Sequence, residues 1–325
     1  ILREENSFGC SKTDSVLITV FPPISNNTIS GNQFLCGGTI SSALIGQTAT
    51  GGNGNISYQW QDSTSGGVFV NISGETNASY APGFVNQTTS YRRIVTSGLC
   101  VGNNSSVSNV VRIVIVPNIG NNNIGASQEI CAGTSINALN STATITGGTG
   151  AYRYQWQQSN DSLNWLNTSL ADTLATFTPS GITTSTYYRR IVFSASCSNI
   201  SLPVKITIIP AIDNNTIGSS QTICGGQLSP QLNGSIPTGG KNNTYNYQWQ
   251  QSTTGANFGF SNASGTSTNA NYASAALTNT TWFRRIASSG GCIDSSNAVV
   301  INVIPAITGN TISGAQSICT GGTVS

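Results

Sequence analysis

The sequence predicts an all-β fold, a tandem series of β-sandwich domains arranged as an extended rod, and three observations carry that prediction. A Tyr-Gln-Trp tripeptide recurs at Tyr58-Gln59-Trp60, Tyr154-Gln155-Trp156 and Tyr247-Gln248-Trp249, in steps of 96 and 93 residues. An aromatic-Arg-Arg tripeptide follows each time, at Tyr91-Arg92-Arg93, Tyr188-Arg189-Arg190 and Phe283-Arg284-Arg285, and its second Arg lies seven residues before Cys100, Cys197 and Cys292. Between these marks, β-branched and aromatic residues alternate with turn residues every eight to twelve positions, and no helical period appears.

The phase of the repeat sets the domain limits. Joining segments with paired Ile and several Asn begin near Ile24, Ile119, Ile212 and Ile307, each just after a Pro (Pro22-Pro23, Pro117, Pro210, Pro305) that stops the preceding strand. Whole units are therefore expected at 24–118, 119–211 and 212–306. Residues 1–23 read as the last two strands of a preceding unit, with Cys10 where Cys100 stands, and 307–325 read as the opening of a further one. The phase predicts that the chain is a window onto a longer array. The joints should be stiff, with Asn in left-handed turns and an Ile pair such as Ile212 and Ile217 packing between neighbours.

Within the third unit, strands are expected near 221–224, 231–235, 245–252, 258–261, 271–275, 281–288 and 298–304, a sandwich count of seven. Tyr247 and Trp249 lie two apart and share a face, whereas Gln248 and Gln250 share the other. Tyr58, Trp60, Tyr154, Trp156, Tyr247 and Trp249 are accordingly expected in the cores, with a sugar-stacking platform as the alternative use of such rings. The paired arginines alternate faces, so one is solvated and the other lies along aromatic surface or caps a loop carbonyl.

Eight cysteines allow two schemes that respect the phase. One closes each unit on itself, as Cys36–Cys100, Cys131–Cys197 and Cys224–Cys292, leaving Cys10 and Cys319 to pair outside the window. The other bridges each linker, as Cys10–Cys36, Cys100–Cys131, Cys197–Cys224 and Cys292–Cys319. Geometry favours the first, because the hairpin of the last two strands is expected at the same end as the start of the first strand. No Cys-x-x-Cys spacing points to zinc or redox chemistry, and the disulfides imply an oxidising compartment.

Composition narrows the function. Only 7% of residues are charged and the net charge is +2, too little to neutralise a phosphate backbone, so no nucleic-acid partner is expected. No apolar run is long enough for a membrane helix, so this segment should not insert in a membrane. With no histidine, the commonest general base and metal ligand is missing. The ten acidic residues are scattered. No catalytic residue, cofactor or metal ligand set is expected, and the chain is not read as an enzyme.

The succession N-N-T-I, I-C-G-G, P-T-G-G, Y-Q-W-Q-x-S, x-R-R-I-x-x-S-G-G-C and a final strand ending in I-P resembles the Ig-like (PKD-like) repeats of very large cell-surface adhesins of the Bacteroidota, including gliding-motility adhesins. Ala132 and the segment Ile145-Thr146-Gly147-Gly148 depart from it locally. The resemblance implies export to the cell surface, through a type IX system whose sorting domain would lie outside this window. It also implies a role in attachment or gliding, and O-glycans on Asp-Ser/Thr-apolar sites, which Ser15, Ser162 and Thr173 fit. Asn-x-Ser/Thr sequons also recur along the chain. The leading expectation is a disulfide-locked structural stalk or filament whose partners are neighbouring repeats of the same chain and lateral copies. A carbohydrate-binding array for surface polysaccharide, or an accessory module of a secreted enzyme, are the alternatives.

Overall fold

The computed structural model describes residues 1–64, 66–98, 105–169, 173–315 and 317–323, and its described regular structure is all β. Three equivalent six-stranded sheets follow one another. In each unit an entry strand (Gln33–Cys36, Gln128–Cys131, Gln221–Cys224) pairs in parallel with an exit strand (Val111–Val116, Val204–Ile209, Val299–Ile304). The exit strand pairs antiparallel with an arginine strand (Thr89–Ser97, Thr186–Ser194, Thr281–Ser289). The arginine strand pairs with a tryptophan strand (Ile56–Thr64, Arg153–Ser159, Asn246–Ser252), and a short cysteine strand (Ser105–Val107, Cys197–Ile200, Cys292–Ser295) folds back on its other edge. The opposing layer is made mostly of short or single bridges, such as Ile217 with Gly234 and Leu232 with Tyr272. The expected strand at 231–235 is reduced to such bridges, and that at 258–261 to Ser261–Asn262.

Residues 1–23 hold one hairpin, Leu2–Glu5 against Ser11–Asp14, exposed throughout, and no strand is found among the described residues after Ile304.

The arginine strands bury every second residue in all three units, and this alternation decides which side chains meet. Register sets Trp60 opposite Arg93, Trp156 opposite Arg190 and Trp249 opposite Arg285 on the inner face. All six side chains are fully enclosed. Each Trp continues into two more rings: Tyr80 and Tyr91, Phe177 and Tyr188, Tyr272 and Phe283, with centroids 5.4–5.9 Å apart. Its indole N–H donates to Asn77, Leu174 or Asn269 carbonyl oxygen at 2.9–3.0 Å, so the one polar atom of the ring is satisfied. Tyr58, Tyr154 and Tyr247, expected in the same cores, are only half-buried, and Tyr154 and Tyr247 pack against the apolar clusters at the joints instead.

The buried arginines have no carboxylate: the ion pairs among the described residues are Arg3–Glu5 and Lys241–Glu129. Neutral acceptors replace it. Arg93 donates from Nε and Nη2 to Asn27 Oδ1 (3.1 and 3.0 Å), from Nη1 to Ala78 O and from Nη2 to Gln47 O. Arg190 uses Asn122, Ala175 and the Ser141 hydroxyl. Arg285 uses Asn215, Ala270 and Ser235. Tyr58, Tyr154 and Tyr247 stand 4.6, 5.4 and 4.6 Å from the three guanidinium carbons. Burial lowers the pKa of all three guanidiniums and these tyrosines oppose the shift, yet the groups stay charged. Gly46 and Gly234 leave room for the fork, since a β-carbon there would lie 2.2 Å and 1.8 Å from Nη1.

The first Arg of each pair points outward but is not simply solvated. Arg92, Arg189 and Arg284 donate from Nε to Gln61, Gln157 and Gln250 at 2.7–2.8 Å and lie over the rings of Phe69, Trp165 and Phe260 at 4.1–4.2 Å.

Replacing Asn122 by Ala strips Arg190 of the oxygen that takes two of its N–H groups in a dry site, a loss of about 3 kcal/mol. Hydrogen exchange of unit-two core amides should quicken roughly 100-fold while unit-three amides hold, and Arg190→Lys should fail to restore protection because an ammonium cannot span the fork. Burial pushes the Tyr91 phenol up to about 12 from 10.0. Folded unit one thus keeps its proton where the unfolded chain has lost it. Its stability is full below pH 10 and falls as pH rises toward 12, and Tyr91→Phe should flatten that fall in alkaline urea titrations.

Candidate functional site at the joints between units

The joint starts where the entry and exit strands end together. Cys36 pairs with Val116, Cys131 with Ile209 and Cys224 with Ile304, and the next amide (Gly37, Ala132, Gly225) donates to the same exit-strand carbonyl at 2.8 Å. Pro117 or Pro210 then stops the ladder and its carbonyl accepts from Gly148 or Gly240 of the following unit. The linker residue after it is drawn into the next unit as a strand partner: Gly120 bridges Thr146, and Asp213 bridges Thr238.

The Gly-Gly turns make this contact feasible. Gly147 and Gly239 have φ of 75° and 76°, and a β-carbon would come within 1.9 and 2.0 Å of the linker oxygens of Asn118 and Ala211. Two consecutive Asn residues then divide the work. Asn121 and Asn214 take left-handed φ of 57° and 58°, and that turn aims Asn122 and Asn215 into the core, where they hold the arginines.

An apolar cluster fills each joint. Val116 and Ile119 pack with Val192 and Cys197 under Tyr152 and Tyr154, and Ile209 and Ile212 pack with Ala287 and Cys292 under Tyr245 and Tyr247. Of the expected Ile pair, Ile212 belongs to the joint, whereas Ile217 belongs to the core of unit three. Lys241 and Glu129 add an exposed ion pair across the second joint.

Two disulfides cross these joints, and they correct the pairing expected from the sequence. Cys36 bonds Cys197, and Cys131 bonds Cys292, each over a separation of 161 residues. Pairs Cys131–Cys197 and Cys224–Cys292 are thereby excluded, and so is Cys36–Cys100, although Cys100 itself lies outside the described residues. The linker-bridging scheme falls for the same reason. The entry strand runs parallel to the exit strand, so its cysteine arrives at the far end of the unit rather than at the end where the cysteine strand starts. Cys131 and Cys197 therefore stand at opposite ends of unit two, while Cys131 meets the hairpin cysteine of unit three. Cys10, Cys224 and Cys319 are exposed thiols.

The candidate O-glycan positions differ in access. Ser15 and Thr173 are exposed, whereas Ser162 is half-buried at φ 62° in a turn that Asp161 closes by accepting from the amides of Leu163 and Asn164. Those bonds hold the Asp161 carboxyl far below the usual carboxylate range.

Three sandwiches with a two-layer core, joined end to end, define an array of Ig-like domains, and comparison with solved structures agrees. Titin domains I67–I69, in an E-to-A mutated variant, match at TM-score 0.50 and 9% identity, over 88% of this chain and 99% of that one, which shows the fold alone. Titin domains A168–A170 (TM-score 0.39, 13% identity, 84% and 95% covered) and Drosophila OTK extracellular domains 3–5 (0.36, 10%, 86% and 96%) are more distant. A domain of unknown function (DUF8696) matches residues 25–117, 120–210 and 213–305, and the chain belongs to that family in three tandem copies. No curated protein matches the chain.

Non-reducing peptide maps should show Cys36 linked to Cys197 and Cys131 linked to Cys292, with no Cys131–Cys197 species. Gly147→Ala forces a side chain into left-handed φ against the linker carbonyl. It should cost about 2 kcal/mol or more, read as faster exchange of amides on both sides of the first joint.

Proposed function

We propose that the chain is a segment of an extracellular structural stalk, the shaft of a large repetitive surface adhesin used in attachment or gliding, of the Bacteroidota type its motifs resemble. The observation that carries this reading is the doubled joint: units are fastened by a linker built into the next sheet and by a disulfide beside it. Such joints hold neighbours in line, which suits a shaft and has no use in a freely diffusing binding module. Disulfides persist in oxidising surroundings, which supports export. The partners are first of all neighbouring units of the same chain, with lateral copies and surface polysaccharide as further candidates.

The carbohydrate-binding reading needs exposed rings at one loop end. The Trp of each Tyr-Gln-Trp is instead enclosed, and the Gly-Gly turns of units two and three are occupied by linkers.

Electron microscopy of material sheared from the source cells, with peptide mapping, tests the stalk. Filaments with an axial repeat of about 40 Å that contain these peptides are expected, from ~12 strand residues per unit. Peptides found only in a soluble enzyme, with no filament, would overturn it.

A further inference from the structure

We infer that the disulfides route tension along a covalent track that bypasses most of every unit, making the array a tether that cannot be drawn out by unfolding. The inference deepens the stalk reading and rests on it for its purpose, but its measurement needs only this chain.

The track is read from connectivity. Cys36 ends the entry strand of unit one, and its disulfide passes to Cys197 at the near end of unit two. From there the chain runs down unit two as the cysteine and exit strands, Cys197–Ile200 and Val204–Ile209, crosses the second joint, and runs down unit three to Cys224. About 27 residues thus traverse two whole units, with half of them already in extended strands. The tryptophan and arginine strands of units one and two lie inside the 161-residue loop that the bond closes, off this path. Residues after Cys224, including the remaining strands of unit three, carry no load applied there.

A second track is offset by one unit, through Cys131 to Cys292 and into the exit strand Val299–Ile304. The second joint is therefore crossed side by side by the Cys197–Cys224 segment and by the Cys131–Cys292 bond. Cys224 is delivered beside Ile304 as Cys36 is beside Val116. Val116 and Ile209 are 2% and 3% exposed, whereas Ile304 is 55% exposed and Cys224 is also exposed, so the same joint surface is presented again at the end of unit three.

Slack is what unfolding releases, and a track of nearly extended strands holds little. Between Cys10 and Cys224 the oxidised route holds about 53 residues, at most about 190 Å when taut, against about 214 residues and over 700 Å with the bonds open. Three folded units of ~40 Å already occupy most of the shorter length.

The test is single-molecule stretching of the full chain through handles on the exposed thiols Cys10 and Cys224, with Cys100→Ser and Cys319→Ser to keep the attachment unique. With the disulfides intact, the tether should lengthen by less than about 70 Å before a handle breaks. After a phosphine reductant, which leaves thioether handles in place, the same molecules should lengthen by more than about 500 Å. Cys36→Ser with Cys197→Ser should lengthen almost as far without reductant. Steps of one whole unit, about 200 Å or more, in the unreduced native chain would overturn the inference. A chain that proves inextensible yet is found in no filament would overturn the stalk reading and leave this one standing.

Discussion

A guanidinium sealed in a sandwich with no carboxylate in reach is the constraint around which each unit is arranged. A charge in that position must be met by several aligned oxygens or the fold is lost. Asn27, Asn122 and Asn215 supply the principal ones, and their Nδ2 groups return to the backbone carbonyl of the very arginine they hold. Because these asparagines lie in the linkers, the core of a unit is incomplete until the chain leaving the previous unit has turned into it. The left-handed Asn before each, the missing β-carbon at Gly46 and Gly234, and the tyrosine beside each fork follow from this one demand. The charge thus ties linker geometry to core packing, and a floppy joint is incompatible with a folded unit.

Much of this was legible. Trp60, Trp156 and Trp249 could be placed inside from the alternation of Tyr-Gln-Trp, whereas the strand order around them is known from the sheet pairings alone. The burial of the second arginine was also written in the sequence: Arg93 shares parity with Tyr91 and Val95, so a strand that buries those two buries it as well. The role of the outer arginine was not, since Phe69, Trp165 and Phe260 come from irregular segments whose approach no periodicity marks.

The cysteine pairing was hidden by the repeat itself. Pairings within a unit, across a linker and between successive units all recur once per unit, so phase cannot separate them. Strand direction does. An entry strand lying antiparallel to the exit strand would end near its own unit's hairpin, and a parallel one ends a unit's length away. One signal was available. Cys197 to Pro210 and Ile212 to Cys224 are nearly equal in length, as expected if each traverses a whole unit in one direction.

The same connectivity changes what a protease can do to the molecule. Any single peptide bond cut between Cys36 and Cys197 leaves the two pieces held by the bond joining those residues, and any cut between Cys131 and Cys292 leaves them held by the other. The two spans overlap, so from Cys36 to Cys292 no one nick divides the chain. A tandem array built this way survives an isolated nick without shedding the part beyond it, and a single cut in that span severs it only when the bonds are also reduced.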